Sequence, residues 1–351
     1  MRLWSRPGVL AVAGVFGATL LAACAPTVTG VPRAGAYTPD LANEVAGVER
    51  VDLRKDFADS PQSVNDYWTK DRTDEAEAPP LPKPDGNTTG TEEEAVSVTI
   101  HPTTGALDQV PPSANGDHNG GQRWSKAGLS GRTVGRLYFT LGGRPYVCSA
   151  AVVNSKSGRI VATAGHCLFG TGERREWVRQ VMFVPGDEAG KAPHGRWSAE
   201  TGFVTKQFMN SAFSTATSTS GSGWQFDTAF LRMRPLNGKT IQQALGAQGI
   251  AFGHRPEGLM VLGYPSAKPF DGKSMRYCSA SSTRTHPGVH GDYGLPCVMT
   301  PGCSGGPWLT RFDPVKGAGY VVSTSSVGDS ETLYGSTMGK TAYDLYLEAD
   351  K

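Results

Sequence analysis

Gly302-Cys303-Ser304-Gly305-Gly306-Pro307 organises the reading of this 351-residue chain, and two upstream stretches answer it. Thr163-Ala164-Gly165-His166-Cys167 carries a histidine, and Phe226-Asp227-Thr228-Ala229-Phe230-Leu231 places an acid between the two. A serine hydroxyl is a weak nucleophile at neutral pH and needs a base within hydrogen-bond reach. His166 is such a base, Asp227 a carboxylate that can hold its tautomer and stabilise the imidazolium, and Ser304 the attacking oxygen. The glycines around Ser304 permit a sharp backbone turn. Each feature alone is ordinary: a core histidine, a Gly-rich turn, a capping or surface acid. Together, in this order, they point to acyl transfer.

Chain order narrows the architecture. Gly302-Cys303-Ser304-Gly305-Gly306 also fits the Gly-x-Ser-x-Gly elbow of α/β-hydrolases, which need their histidine after the serine. The seven histidines are His101, His118, His166, His194, His254, His286 and His290, and none follows Ser304. The subtilisin order needs the acid before the histidine, which the Asp227 motif does not offer. His286 and His290 have the spacing of a metal pair, but a loop with two exposed histidines accounts for them more simply.

In these stretches the chain resembles the chymotrypsin-like serine endopeptidases. Among them it is most similar to the bacterial trypsin-like and glutamyl-endopeptidase-like secreted enzymes, over roughly residues 130–351. The resemblance implies an all-β catalytic unit of two six-stranded antiparallel barrels with a C-terminal helix. It implies peptide-bond hydrolysis through an acyl-enzyme, no metal or organic cofactor, polypeptide substrates and a monomer. It assigns the oxyanion hole to the amides of Gly302 and Ser304, usually a large catalytic contribution. It also pairs Cys148 with Cys167, a cross-link that the chain-entropy model values at about 3 kcal/mol, and offers Cys278 and Cys297 as a second pair. By counting alone, the five cysteines left after Cys24 is set aside allow many pairings.

The chain departs from that family in three places. Mammalian-type enzymes have an aspartate just before the serine, which receives the new N-terminal ammonium after activation. Here Cys303 stands there, and a thiol cannot accept that ion pair; it reads first as a small buried hydrophobe, with a disulfide to Cys278 or Cys297 or a redox-sensitive thiol as the other readings. The trypsin-type pocket aspartate is replaced by Val298. Ser323-Thr324-Ser325 match the family's serine-led strand, which makes them the far pocket wall, with Ser323 reaching towards Asp227. The histidine of glutamyl-specific relatives is replaced by Val322. An uncharged, fairly polar pocket for small or apolar side chains is the expectation.

Short runs with strand character lie at 136–140, 146–153, 159–163, 178–184, 197–209, 229–233, 259–264, 275–279, 306–312 and 319–324, separated by glycine, proline or asparagine. Residues 341–348 read as a helix, with Ala342, Leu345 and Leu347 available to pack back.

The N-terminal part differs in kind. Arg2 and Arg6 precede an apolar run from Gly8 to Leu21, and Leu21-Ala22-Ala23-Cys24 has the form of a lipobox. Export is expected, with residues 1–23 removed and Cys24 lipidated as a membrane anchor. Residues 25–120 hold seven Lys/Arg against seventeen Asp/Glu, a net charge of −10, while 121–351 carry +10. No alternation of basic and aromatic residues argues for nucleic acid. The domains are therefore read as a signal (1–23), an acidic tether or pro-region (24–128) and a catalytic domain (129–351). Helical pattern is visible around Val64 and Trp68, and 67–72 resembles a segment recurring in propeptides of these bacterial proteases. Residues 74–128 are expected to be largely disordered. The charge contrast suggests that this segment masks or chaperones the basic half until cut near Arg123, Lys126 or Arg132. The competing class is a surface-anchored, non-catalytic binding protein on a protease fold.

Overall fold

The computed structural model describes residues 53–80, 91–107, 117–125, 128–210, 222–255, 258–285 and 293–351. Cys24, the apolar leader and the pair His286 and His290 lie outside them.

The acidic segment is more structured than its composition suggests. It forms β1 (Arg54–Asp56), α1 (Pro61–Tyr67), α2 (Lys70–Glu75), β2 (Val98–Ile100) and β3 (His118–Arg123). Ser60 and Thr69 cap the two helices by accepting from the amides of Ser63 and Arg72, and Pro61 occupies a first-turn position where its missing N–H costs nothing. Few apolar residues are available, but Phe57, Val64, Trp68, Leu107 and Trp124 are all buried. The expected disorder therefore does not hold for the described parts of 74–128. A handful of large side chains inserted into neighbouring cores supports an otherwise charged segment, which average hydropathy cannot reveal. Arg123 lies in β3, and Arg132 lies in a short helix; Lys126 is outside the described residues.

The first barrel begins with that helix, α3 (Gly128–Thr133), and β4 (Val134–Leu141), β5 (Arg144–Val152), β6 (Ile160–Thr163), β7 (Arg179–Pro185), β8 (Trp197–Val204), α4 (Lys206–Asn210) and β9 (Ala229–Met233) follow. β4 and β5 meet through Gly142 and Gly143, both at positive φ (56° and 78°), as a tight hairpin turn demands. The order β8-β7-β4-β5-β6-β9 closes through β8–β9 into a six-stranded antiparallel barrel. Leu137, Val161, Phe183, Trp197 and Leu231 share its core. The strand expected over 197–209 stops at Val204. Thr205 Oγ1 accepts from Phe208 N at 3.3 Å and starts α4 instead.

The second expected barrel takes the form of a ten-stranded sheet. After α5 (Ile241–Leu245) come β10 (Gly249–Phe252), β11 (Leu259–Gly263), β12 (Arg276–Ala280), β13 (Arg284–Thr285), β14 (Tyr293–Pro296), β15 (Pro307–Asp313), β16 (Ala318–Gly328) and β17 (Thr332–Thr337). The path runs β13-β14-β17-β16-β15-β11-β12-β3, with β10 parallel to β16 and β2 added to β10. The Cys278–Cys297 bridge joins β12 to the residue after β14, near opposite ends of that path, and the Val298 amide donates to Asn119 O of β3 beside it at 2.9 Å. The helix α6 (Lys340–Ala349) buries Ala342, Leu345, Tyr346 and Ala349. Leu347, expected inside, is 44% exposed, because Tyr346 takes the inward direction.

Candidate active site

Strand pairing brings His166 and Asp227 together. β6 and β9 are antiparallel with Thr163 opposite Ala229, so the residues just after β6 and just before β9 emerge at the same barrel end. His166 sits in a one-turn 3₁₀ helix, Gly165–Cys167, and the Cys148–Cys167 bridge ties this turn to β5. Asp227 follows a second such turn, Ser222–Phe226. His166 Nδ1 lies 2.7 Å from Asp227 Oδ2, and the His166 amide donates to Oδ1 at 2.8 Å. The carboxylate thus fixes both the ring and the backbone of the same histidine. Asp227 is wholly buried, and a third donor, Ser326 Oγ, reaches its Oδ2 at 2.5 Å. Trp224 closes the other side of the imidazole, with ring centroids 5.8 Å apart.

Ser304 arrives from the loop between β14 and β15. Ser149 of β5 anchors that loop: its amide donates to Ser304 O (2.7 Å) and its Oγ to Gly302 O (2.8 Å). On the other side, Ser325 of β16 takes the amide of Gly305 and donates its own to Gly306 O, so the turn is held from both sheets. Gly302 and Gly305 cannot be replaced. They have φ of +102° and +76°, and an added Cβ would lie 2.6 Å from Tyr264 O at the first and 2.1 Å from Thr163 Oγ1 at the second. Ser304 Oγ and His166 Nε2 are both buried side-chain atoms with no hydrogen-bond partner of their own. Among the described residues, no backbone hydrogen bond is donated by the amides of Gly302 and Ser304.

One expected contact is corrected. Ser326, not Ser323, bonds to Asp227; Ser323 Oγ donates to Ser336 O at 2.6 Å. β16 runs four residues further than the sequence pattern suggests. Its pairing with β17 slips between Ser325 and Val327, which leaves Ser326 as the extra residue of a bulge. Bulges re-aim a side chain in this way, and nothing in a run of four hydroxyl residues announces which one is re-aimed. Ser323, Thr324 and Ser325 are fully buried, with Ser325 Oγ accepting from Trp308 Nε1 at 3.0 Å. Val298 is partly buried, and its amide donates to Asn119 O of β3 at 2.9 Å.

Cys148 and Cys167 are joined, as are Cys278 and Cys297, while Cys303 is free and buried. With His166, Cys148 and Cys167 are also the one group of potential metal ligands gathered closely among the described residues. Both sulfurs are committed to the bridge, and a thiolate, not a disulfide, is the metal ligand. Burial pushes the Cys303 thiol up to about 12. Native protein at pH 8 should therefore leave Cys303 unreacted with a thiol reagent, and denatured protein should react within the mixing time. The raised pKa also has a direction for stability. Between about pH 9 and 12 the folded state holds a proton that the unfolded state has released, so stability falls as pH rises through that window. Replacing Cys303 by Ala should flatten that part of the curve in urea titrations.

No protein-family model and no curated protein matches the chain. Solved structures do. Protease Anisep from Arthrobacter nicotinovorans matches at 33% identity and a TM-score of 0.54, over 62% of this chain and 95% of that one. The chain belongs to the chymotrypsin-like serine proteases. The thermostable serine protease AL20 from an extremophilic microorganism agrees, at 30% identity, a TM-score of 0.54, and 63% and 98% coverage. A Glu endopeptidase shares the fold at 18% identity and a TM-score of 0.50, over 66% of this chain and 97% of that one. More than a third of this serine protease lies outside the part shared with Anisep. Its two disulfides and its protease relatives fit an extracytoplasmic location.

Proposed function

We propose that this serine protease is an endopeptidase that cleaves peptide bonds with Ser304, His166 and Asp227. One observation carries the reading. Asp227 is buried and holds both the ring and the amide of His166, while His166 Nε2 and Ser304 Oγ are buried polar atoms that hydrogen-bond neither to each other nor to any other group, and so are free to act on a substrate. Nε2 takes the Ser304 proton as Oγ attacks the carbonyl carbon. The amides of Gly302 and Ser304 receive the negative oxygen of the tetrahedral species. Collapse breaks the C–N bond, and His166 returns the proton to the leaving amine. Water then repeats the cycle on the acyl-enzyme, and Asp227 stabilises the imidazolium in both halves. Val298 in the position of the family's pocket acid fits small or apolar side chains before the scissile bond.

A fluorophosphonate probe tests this directly: one adduct on Ser304, located by peptide mass mapping, is expected. Absence of label on folded protein would favour a non-catalytic binding role on this fold. The leader with Leu21-Ala22-Ala23-Cys24 supports export and lipid anchoring. Intact mass of membrane-extracted protein should show acyl chains on Cys24, and an unmodified Cys24 in protein free of membranes would reject the anchor.

A further inference from the structure

We propose that residues 53–80, 91–107 and 117–125 form a permanent brace of the enzyme, which positions the loop carrying Asp227, and are not a mask removed on activation. The inference rests on the proposed catalytic role of Asp227. The segment is built into both sheets. β1 pairs with β8 (Lys55 opposite Gly202), β2 with β10 (Thr99 opposite Ala251), and β3 with β12 (Gln122 opposite Tyr277). Backbone ladders of this kind are how an extended segment is held firmly on a sheet edge. None of the described hydrogen bonds of the segment goes to the side chains of His166, Asp227 or Ser304. Its one backbone bond to a proposed pocket residue, Val298 N to Asn119 O at 2.9 Å, is made by the strand that also pairs with β12, as part of the sheet.

What the segment holds instead is the approach to Asp227. Gln225 stands two residues before Asp227 and is buried. Its side-chain amide is spent on the backbone of Thr91: Thr91 N donates to Oε1 at 2.8 Å, and Nε2 donates to Thr91 O at 2.7 Å. This reciprocal pair makes a side chain behave as a strand neighbour and ties the Ser222–Phe226 turn to the acidic segment. Two residues further on, Glu93 Oε1 accepts from Thr341 N at 2.8 Å and caps α6, whose own cap residue, Gly339, has no side chain to do so. Thr91 and Glu93 therefore bridge the turn that delivers Asp227 to the C-terminal helix. On the far side of the first barrel, Gln180 sits at a φ of +51°, a conformation rare for a side chain-bearing residue. The segment holds it by two bonds: Trp68 Nε1 donates to Gln180 O at 2.6 Å, and Gln180 Nε2 donates to Asp59 Oδ1 at 2.9 Å.

Two experiments on the full chain decide the matter. In the first, a specific protease site is placed within residues 81–90 and a second within 108–116, and the purified protein is nicked. The docked pieces should co-elute with the barrels on native size exclusion, since several linked contacts dissociate far more slowly than one, and peptidase activity should be retained. Departure of a piece with activity unchanged or raised would overturn the brace. In the second, Gln225→Ala should lower kcat by about tenfold to a hundredfold through misplacement of Asp227, with KM unchanged. Gln225→Glu keeps the bond from Thr91 N but sets a buried carboxylate oxygen against Thr91 O, so it should lose as much as the alanine. A fall in Tm with kcat untouched would show that Gln225 has no positioning role. If the intact chain takes no fluorophosphonate on Ser304, the catalytic reading and the positioning role both fail, while co-elution still decides whether the segment is a permanent part of the fold.

Discussion

On the proposed mechanism, Ser304→Ala and His166→Ala are each expected to lower kcat for a peptide substrate by about 10⁶-fold, because members of such a triad act as a unit and losing either costs nearly as much as losing both. The double variant is therefore expected to be no worse than the singles. Asp227→Asn keeps the shape of the site and should cost about 10⁴-fold, since an amide cannot hold the same tautomer or stabilise the imidazolium. The geometry gives that estimate its basis. Asp227 accepts from the ring and the backbone of His166 and from Ser326, all without exposure to water. An asparagine must turn an N–H₂ towards one of those donors. Initial rates on a generic peptide, with far-UV spectra as the control for folding, check the series. Additive losses, or a Ser304→Ala variant with substantial activity, would remove the proposed mechanism.

Trp68→Ala is expected to destabilise the whole protein by about 3–5 kcal/mol, the cost of emptying a large aromatic site in a core. Trp68 is fully buried among Tyr138, Val147, Met182 and Val184, which belong to the first barrel. Its ring lies 5.3 Å from that of Tyr138, and its carbonyl accepts from Arg196 Nη1 at 2.9 Å. Removing it opens a cavity and also leaves Gln180 O without its donor. Trp68→Phe keeps most of the volume and should lose markedly less. Denaturant titration read by near-ultraviolet dichroism of the barrels checks both. A barrel transition that does not move in Trp68→Ala would mean that the segment and the barrels unfold independently.

The sequence by itself determined the class of fold and singled out the residues of the proposed site. His166, Asp227 and Ser304 were legible because their chemistry demands particular residue types in a particular order, and because Gly302 and Gly305 stand where no side chain fits. The strands of the first barrel were legible because their inward side alternates with turns rich in glycine. α6 was legible from its helical periodicity, although the inward direction belongs to Tyr346 and not to Leu347. Three things were decided only by tertiary structure. The choice of Ser326 over Ser323 depends on a bulge in the β16–β17 pairing, which no local pattern encodes. The short strands β10, β14 and β17 are stabilised by their partners, because four to six residues carry too little periodicity to declare themselves. The described parts of the acidic segment are held because the first barrel and the second sheet supply the cores for Phe57, Val64, Trp68 and Trp124. Burial is a property of both surfaces in a contact, and a one-dimensional reading of charge sees only the solvent-facing one.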